Sequence, residues 1–497
     1  MFLPNSKPEV ATSVDEDQWF DGDRLNEECG VFGITPHPDA AALTALGLHA
    51  LQHRGQEAAG MVTYDGEQYH SERRLGLVGD NFSKKTVLDR LVGDAAIGHV
   101  RYSTTGETAL RNVQPLYADL DIMGFAICHN GNLTNALTVR DSLVSDGAIC
   151  QSTTDTEVIL HLISRSKRRR IVHRFIDALL QIEGAYALVA LAENMIIGAR
   201  DPDGIRPLVI GKLADAYILT SETCALDIIG AEFIREVENG EVVAITADGI
   251  ESHRPFPKRP ARPCIFEYIY FSRPDSIVGG RSVYDVRKKF GEQLALEAPV
   301  DADVIVPIPD SGVPAAIGYA QAAEIPFELG IIRNHYVGRT FIEPTQQVRQ
   351  LGVKLKHSAN RGAVAGKRVV LVDDSVVRGT TSLKIVGMMR DAGATEVHMR
   401  IACPPITHPD FYGIDTPDRE KLLGARFTLE EMREYMTADT LAFLSIDGVY
   451  RATGYKGRDN VQPQFTDHCF TGDYPTRLRD REESDPQRQL SLLAEVG

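Results

Sequence analysis

Two adjacent carboxylates followed by a short hydroxyl-rich loop form the strongest chemical signal in the sequence. Residues 369–381 read VVLVDDSVVRGTT, so four apolar, β-forming residues precede Asp373 and Asp374. Open α/β sheets bind ligands at the carboxyl ends of their strands, and the N–H groups that open a following helix attract anions. Paired carboxylates beside such a loop suit the hydroxyls of a sugar phosphate, with a divalent cation nearby to offset their repulsion. The alternative, a plain strand–turn–helix with an Asp N-cap, accounts for one acid but not for two followed by this loop.

A second strand end precedes this loop in the chain. Residues 304–312 read VIVPIPDSG, and Ser311 and Gly312 would let the backbone approach a diphosphate closely. Alone, this stretch would be only a turn. The basic segment 333–361, which includes Arg339 and is broken by Gly338 and Pro344, favours a mobile lid over anionic substrate. An ordinary exposed polar loop is the alternative.

Cys29 is the third candidate for chemistry. It lies in the stretch EECGVFGI over residues 27–34, and a cysteine in a strand is usually a small buried hydrophobe. The 28 residues before it hold eight acids against two bases, a local charge of −6, and the only tryptophan, Trp19. They have no periodic apolar face, so we expect this leader to be disordered.

Length and composition restrict the class of protein. A chain of 497 residues with 25% charged and 43% apolar residues predicts several globular domains. The formal charge of −16 argues against nucleic-acid binding. No apolar run reaches the roughly 20 residues of a membrane span, and no secretory signal is present. Seven cysteines in so long a chain favour a reducing, cytoplasmic location.

The periodicity of the chain divides it in two. Short strands with helices near 40–51, 155–164 and 171–182 predict a layered α+β domain up to about residue 255. Prolines punctuate residues 252–263, which we interpret as a linker. Beyond it, strands at 304–307, 326–332, 369–372 and 396–402 alternate with helices near 283–297, 313–323 and 381–392. This alternation predicts a parallel sheet with crossover helices.

The second half resembles the type I phosphoribosyltransferases. Residues 369–381 are similar to their signature for binding phosphoribosyl pyrophosphate (PRPP), and residues 304–312 to their pyrophosphate loop. The resemblance implies Mg²⁺, one per subunit, near Ser311, Asp373 and Asp374. It implies PRPP contacts from Asp310, Ser311, Gly312, Arg339, Asp373, Asp374, Ser375, Val376, Val377, Arg378, Gly379, Thr380 and Thr381.

The first half resembles the class II glutamine amidotransferases, which are N-terminal-nucleophile hydrolases. The similar stretches are residues 27–34, 51–60, 98–104, 128–133 and 152–157. The resemblance implies that residues 1–28 are a propeptide whose removal makes Cys29 the first residue. A free α-amine, with a reference pKa of roughly 7.7 to 8.0, then serves as base for the Cys29 thiol. The implied partners are Asn130 and Gly131 for the oxyanion, Arg101 for the glutamine carboxylate and Asp155 for its ammonium group.

Together the halves resemble the amidophosphoribosyltransferase family over residues 29–475. The resemblance implies an αββα sandwich at 29–255, an α/β phosphoribosyltransferase domain with a parallel sheet at 264–475, and a frayed tail at 476–497. It also implies transfer of ammonia from glutamine to PRPP, giving 5-phosphoribosylamine, glutamate and pyrophosphate in purine biosynthesis. Purine nucleotides are the implied inhibitors and a cytoplasmic homotetramer the implied assembly, with no nucleic-acid or membrane partner.

One part of the family pattern is not reproduced. Family members with a propeptide commonly hold a [4Fe–4S] cluster on four cysteines. Here Cys264 and Cys469 stand at two of those positions, whereas Asp410 and Thr466 stand at the others. Since threonine is a poor substitute for a thiolate, the sequence predicts that no intact cluster forms.

Two other functions fit part of the pattern. The chain could be a non-catalytic sensor of PRPP or nucleotides that keeps both folds, although the basic helical element of a DNA-binding regulator is missing. It could also be another glutamine-dependent sugar-phosphate amidotransferase, which shares the first half but would carry sugar-isomerase repeats in place of the Asp373–Asp374 loop.

Removal of the leader predicts a specific mass and spectrum. We expect the mature chain to begin at Cys29, to carry a charge of −10 because −6 leaves with the leader, and to emit tyrosine-like fluorescence because Trp19 is lost. Intact-mass spectrometry and the emission spectrum of purified protein check this. An active enzyme with the mass of all 497 residues would contradict it.

Overall fold

The computed structural model describes residues 29–102, 109–334, 357–416 and 418–482. The leader at residues 1–28 and Arg339 therefore lie outside the described residues. In the part of the chain that the structure describes, no helix has the length and apolar character needed to cross a bilayer.

Two antiparallel sheets make up the first half of the chain. Their strands are β1 (Gly30–Thr35), β2 (Ala58–Tyr64), β3 (Tyr69–Leu75), β4 (Ala95–Arg101), β5 (Leu116–Asp119), β6 (Gly124–Leu133), β7 (Gly184–Ala192), β8 (Met195–Arg200), β9 (Val209–Leu213), β10 (Ala216–Thr220), β11 (Glu232–Glu236), β12 (Val242–Thr246) and β13 (Gly249–His253). One sheet has the order β11-β9-β10-β1-β4-β2-β3 and the other β13-β12-β8-β7-β6-β5. Buried apolar side chains from both inner faces, such as Val31, Ile97 and Val189, share one core between the sheets.

Helices cover the outer faces of these two sheets. They are α1 (Ala40–Ala50), α2 (Val78–Phe82), α3 (Lys85–Leu88), α4 (Ala136–Ser145), α5 (Thr156–Arg165), α6 (Ile171–Leu179) and α7 (Cys224–Ile229), with 3₁₀ turns at Gln52–Arg54 and Leu110–Asn112. Helix α6 buries Val172, Phe175 and Leu179, which recur every three or four residues on one face. The four layers form an αββα sandwich, so the predicted fold of the first half is confirmed.

The second half is built on a parallel sheet. Its elements are β14 (Ile277–Val278), β15 (Arg281–Ser282), α8 (Val283–Glu297), β16 (Val304–Pro307), α9 (Val313–Ala323), β17 (Ile331–Arg333), β18 (His357–Ala359), α10 (Arg361–Val364), β19 (Arg368–Asp373), α11 (Thr380–Asp391), β20 (Glu396–Ile401), α12 (Leu423–Arg426), α13 (Leu429–Met436), β21 (Thr440–Phe443), α14 (Ile446–Ala452), α15 (His468–Thr471) and α16 (Arg479–Glu482), with a π-helix at Glu267–Phe271 and a 3₁₀ turn at Arg419–Lys421. The parallel order is β16-β19-β20-β21, which confirms the predicted sheet.

Glycines set the spacing of the two helices beside this sheet. A Cβ on Gly291 of α8 would lie 1.8 Å from the carbonyl oxygen of Ala315, and one on Gly318 of α9 would lie 1.9 Å from that of Lys288. The two backbones therefore approach so closely that no larger residue fits at either position.

Two of the segments predicted from the sequence differ in the structure. The strand expected at 326–332 is split into a single bridge from Phe327 to Ile305 and the separate strand β17, which pairs with β18. Pro326 opens the segment without a backbone N–H to donate to a ladder. In addition, residues 479–482 of the tail expected to fray form α16, where the Asp480 carboxylate accepts the N–H groups of Leu137 and Thr138 at 2.9 Å each.

A buried ionic network joins the two halves. The Arg54 guanidinium pairs with the carboxylates of Glu222 and Glu267, and none of the three side chains is more than 1% exposed. Glu222 also accepts the backbone N–H of Arg273 at 2.9 Å and the Ser276 hydroxyl at 2.6 Å. Although burial opposes ionisation, Arg54 holds the pKa of Glu222 well below its usual range. The contacts fix the two antiparallel sheets of the first half against the segment that begins the second half.

We expect Arg54→Ala to destabilise the protein strongly. It removes the guanidinium shared by both buried carboxylates, which leaves Glu222 with His53 and Glu267 with the longer contact to Arg206. Removing one partner of a buried pair costs about 3–5 kcal/mol. The denaturant midpoint should fall, whereas Arg170→Ala, which breaks the exposed pair with Glu251, should leave it unchanged. Equal midpoints for the two variants would show that the network adds nothing to the stability of the fold.

Candidate active sites

Cys29 immediately precedes β1 and its thiol is half-buried. Its Sγ lies 3.6 Å from the carbonyl oxygen of Tyr102. Burial raises the pKa of Cys29 to about 11, with smaller increases from Asp155 and Glu57, while the Tyr102 contact and Arg101 oppose the shift. The thiol is therefore neutral near pH 7, and it requires a base to become a nucleophile.

Asn130 and Gly131 lie together on β6. The side-chain Oδ1 and Nδ2 atoms of Asn130 are buried without a hydrogen-bond partner among the described residues. Gly131 has φ of +134°, and a Cβ there would lie 2.1 Å from the carbonyl oxygen of Ala185 on β7. A buried amide left unsatisfied is costly unless a ligand completes it, so these two residues fit a binding role.

Asp155 and Arg101 come to the same region from different elements. Asp155 stands just before α5, where its carboxylate accepts the N–H of Leu133 at 2.9 Å and lies 3.6 Å from His129 Nδ1. Although burial opposes ionisation, His129 and the Leu133 N–H hold the pKa of Asp155 below its usual range. Arg101 ends β4 and is buried. The charges of Arg101 and Asp155 both shift the pKa of the Cys29 thiol. A buried cation and a buried anion therefore lie near the thiol.

A cavity of about 190 Å³ opens beside Asp155, and its lining includes residues that the sequence motifs did not indicate. Phe411, Leu478 and Arg481 come from the second half of the chain. The Arg481 guanidinium lies 4.0 Å above the Phe411 ring, and Asn132 donates to the Phe411 carbonyl at 3.0 Å. No local pattern marks these residues, since only long-range packing brings them to the pocket.

The two phosphate-type loops meet at one edge of the parallel sheet. Strands β16 and β19 pair from Val304 with Val369 to Pro307 with Val372, so the loops that follow them lie side by side. A Cβ on Gly312 would lie 2.5 Å from the carbonyl oxygen of Val372. Asp310, Ser311 and Gly312 are thereby placed against the Asp373–Asp374 loop.

The Asp373–Asp374 loop is held by its own hydrogen bonds. Asp373 Oδ1 accepts the Asp374 N–H at 3.0 Å, and Asp374 Oδ1 accepts the Ser375 hydroxyl at 2.5 Å. Gly379, with φ of +79°, ends the loop and caps α11. The other predicted residues of this loop follow in order. Val376 and Val377 are buried, Arg378 precedes Gly379, and Thr380 and Thr381 begin the helix.

The residues expected to hold cofactors differ in how well they fit. Ser311, Asp373 and Asp374 offer hard oxygen donors at one sheet edge, which is the donor set that Mg²⁺ prefers. The four cluster positions do not fit a [4Fe–4S] centre. Thr466 donates its hydroxyl to the carbonyl oxygen of Arg262, and Asp410 offers a carboxylate where the cluster needs a thiolate.

Comparison with known proteins agrees with this geometry. Residues 99–227 match the glutamine amidotransferase domain family and residues 279–409 match the phosphoribosyl transferase domain family. The amidophosphoribosyltransferase of Rhizobium etli is 62% identical over 491 residues, which cover 98% of this chain and 99% of that protein. That of Bacillus subtilis is 50% identical over 455 residues, covering 91% and 95%.

The chain belongs to the amidophosphoribosyltransferase family. It is an enzyme of glutamine-dependent PRPP amidotransfer in purine synthesis, so the activity and fold predicted from the sequence are confirmed. This decides against the sensor and the sugar-phosphate alternatives. The structure of the glutamine PRPP amidotransferase from B. subtilis, complexed with ADP and GMP, superposes with a TM-score of 0.86 at 49% identity over 90% of this chain and 98% of that one. A plant relative, the amidophosphoribosyltransferase 1 of Arabidopsis thaliana, is named chloroplastic. It is 51% identical over 92% of this chain and 80% of that protein.

The close contact at Gly312 predicts a loss of PRPP-dependent activity in Gly312→Ala. The added methyl forces the two loops apart, and a displacement of this size near a reacting centre costs about 100-fold in rate. Ammonia-dependent formation of pyrophosphate measures this step without glutamine. Gly387→Ala in α11, where a Cβ meets nothing within 4 Å, is the matched control and should retain full rate. A fully active Gly312→Ala enzyme would mean that the loop contact does not position substrate.

Proposed function

We propose that Cys29, once freed at its N-terminus, hydrolyses glutamine and that the ammonia reacts with PRPP at the Asp373–Asp374 loop of the same chain. The proposed units are a propeptide at 1–28, a glutaminase domain at 29–255 and a phosphoribosyltransferase domain at 264–475. The observation that carries the proposal is the buried Asn130 amide without a partner. It lies on β6, which packs across the sandwich from β1, the strand that follows the Cys29 thiol.

The glutaminase half-reaction follows from these groups. The α-amine of Cys29 takes the thiol proton, and the thiolate attacks the glutamine carboxamide. The Asn130 Nδ2–H and the Gly131 N–H stabilise the oxyanion, while Arg101 binds the α-carboxylate through its planar fork and Asp155 binds the α-ammonium group. Ammonia leaves, and water hydrolyses the Cys29 thioester to glutamate.

The second half-reaction uses the paired loops. The loop 375–381 binds the 5-phosphate, with its backbone N–H groups at the start of α11, and Asp373 and Asp374 hold the ribose hydroxyls. Asp310, Ser311, Gly312 and Arg339 bind the pyrophosphate. Ammonia displaces that pyrophosphate from C1. A Mg²⁺ ion held near Ser311, Asp373 and Asp374 would neutralise charge on the diphosphate.

Regulation and assembly are part of the same proposal. We propose purine nucleotides as inhibitors, supported by the B. subtilis relative, which is described in complex with ADP and GMP. We also propose a cytoplasmic homotetramer, as the sequence resemblance implies.

Separate assays with glutamine and ammonium ions test the proposal. Cys29→Ser should abolish glutamine-dependent pyrophosphate formation and leave the ammonium-dependent rate intact. Asn130→Ala should lower the glutamine-dependent kcat about 10²- to 10³-fold, since one oxyanion donor is lost. Controls are Cys150→Ser and Asn81→Ala, which change a half-exposed cysteine and an exposed amide outside the site.

Two results would overturn the assignment. Glutamine-dependent activity that survives in Cys29→Ser would require another nucleophile. Loss of the ammonium-dependent rate in Asn130→Ala would mean that Asn130 supports the fold as a whole rather than the oxyanion.

A further inference from the structure

Three different metal-ligating side chains meet in the interior of the second half. Asp410, His468 and Cys469 are all buried, and one ligand atom from each lies within 4.8 Å of the others. We call this the Asp410–His468–Cys469 cluster. It lies outside both proposed reaction sites, and neither half-reaction uses it.

The two oxygens of Asp410 have different environments. Oδ2 accepts the N–H groups of Tyr412 and Ile414, both at 2.7 Å. Oδ1 lies 2.7 Å from Nε2 of His468, yet it is buried and no residue of the described chain forms a hydrogen bond with it that meets geometric criteria. The backbone N–H groups therefore fix Oδ2, whereas Oδ1 faces His468.

The His468 ring is held in place by its neighbours. It lies edge-on to Tyr412 at 5.0 Å between ring centroids and tilted over Tyr474 at 4.9 Å. The Tyr474 hydroxyl donates to the Pro409 carbonyl at 2.7 Å. Nε2 lies 3.3 Å from Sγ of Cys469 as well as close to Asp410, so one nitrogen faces both other ligand atoms.

The buried cation near this cluster is Arg206, which bonds to groups outside the cluster. Arg206 donates through Nε and Nη2 to the carbonyl oxygen of Tyr412 at 3.0 and 2.7 Å. Its Nη1 lies 3.7 Å from a carboxylate oxygen of Glu267. Arg206 also acts on the charge of Asp410, so Glu267 and Asp410 share this one cation.

We propose that the Asp410–His468–Cys469 cluster binds a single borderline divalent cation, with Zn²⁺ the best match. One carboxylate oxygen, one imidazole nitrogen and one thiolate are ligands that Zn²⁺ accepts together. The carboxylate and the thiolate neutralise its charge, and binding releases the thiol proton. A water molecule would complete four ligands.

The separations agree with a tetrahedral ion after a small adjustment. Ligand bonds of about 2.0–2.3 Å place donor atoms about 3.3–3.8 Å apart. The Nε2–Sγ distance of 3.3 Å fits directly. The Oδ1–Nε2 distance of 2.7 Å opens with a slight rotation of the ring. A metal-free Asp–His ion pair is the competing state.

Metal content of the full-length protein tests the proposal. Protein purified without chelator and loaded with Zn²⁺ should retain about one ion per chain after gel filtration. Loading with Co²⁺ should give a cobalt–thiolate charge-transfer band. Cys469→Ser should remove that band, and Asp410→Asn, which keeps an oxygen to accept the two backbone N–H groups, should weaken metal retention at least tenfold.

Cys150→Ser is the matched control. Cys150 also has a histidine neighbour, His161 Nε2 at 3.9 Å, but it is only half-buried, and its loss should change neither metal content nor spectrum. Wild-type protein that retains no Zn²⁺ or Co²⁺ would overturn the proposal in favour of the ion pair. So would equal retention by Cys469→Ser and wild type, or about four irons per chain with sulfide.

Discussion

Arg54 and Arg206 share the boundary between the two halves with Glu222 and Glu267, and this balanced set of buried charges constrains the rest of the molecule. Desolvating four charges is costly, and the cost is recovered only while every partner stays in place. Arg54 bonds to both carboxylates, and Glu222 is bonded in turn by residues 273 and 276. A change in the relative position of the halves would break several of these contacts together. The network therefore favours one arrangement of the two halves.

Close backbone contacts bring the reactive groups together within each half. Gly131 lies against the Ala185 carbonyl, and Gly312 against that of Val372, at distances that exclude a side chain. In the proposed PRPP site, N–H groups and local cations at the edge of one sheet would bind the polyphosphate although the chain carries a charge of −16. Net charge acts over a longer range and is screened by salt.

The parts that could be predicted from the sequence are those encoded by neighbouring residues. The run 369–381 specifies a strand, a loop and a helix start in one stretch, so its place at the sheet edge followed from periodicity and from the resemblance. The motif at 128–133 indicated Asn130 in the same way, but its unpartnered amide depends on the packing of β6. Glu222 could not have been predicted, because its partner Arg54 is 168 residues away and Glu222 itself stands in no informative local pattern. The helix α16 was missed for the same reason, since its contacts with α4 join polar residues more than 340 positions apart.

The loop 410–414 connects the ionic network to the glutaminase site. Its Tyr412 carbonyl receives Arg206, its Phe411 carbonyl receives Asn132, and a Cβ on Gly413 would lie 3.1 Å from the Cα of Gly131. The same loop is shaped from within by Asp410, whose carboxylate accepts the N–H groups at 412 and 414. A cation on the other oxygen of Asp410 would therefore fix the loop that supports the proposed oxyanion strand.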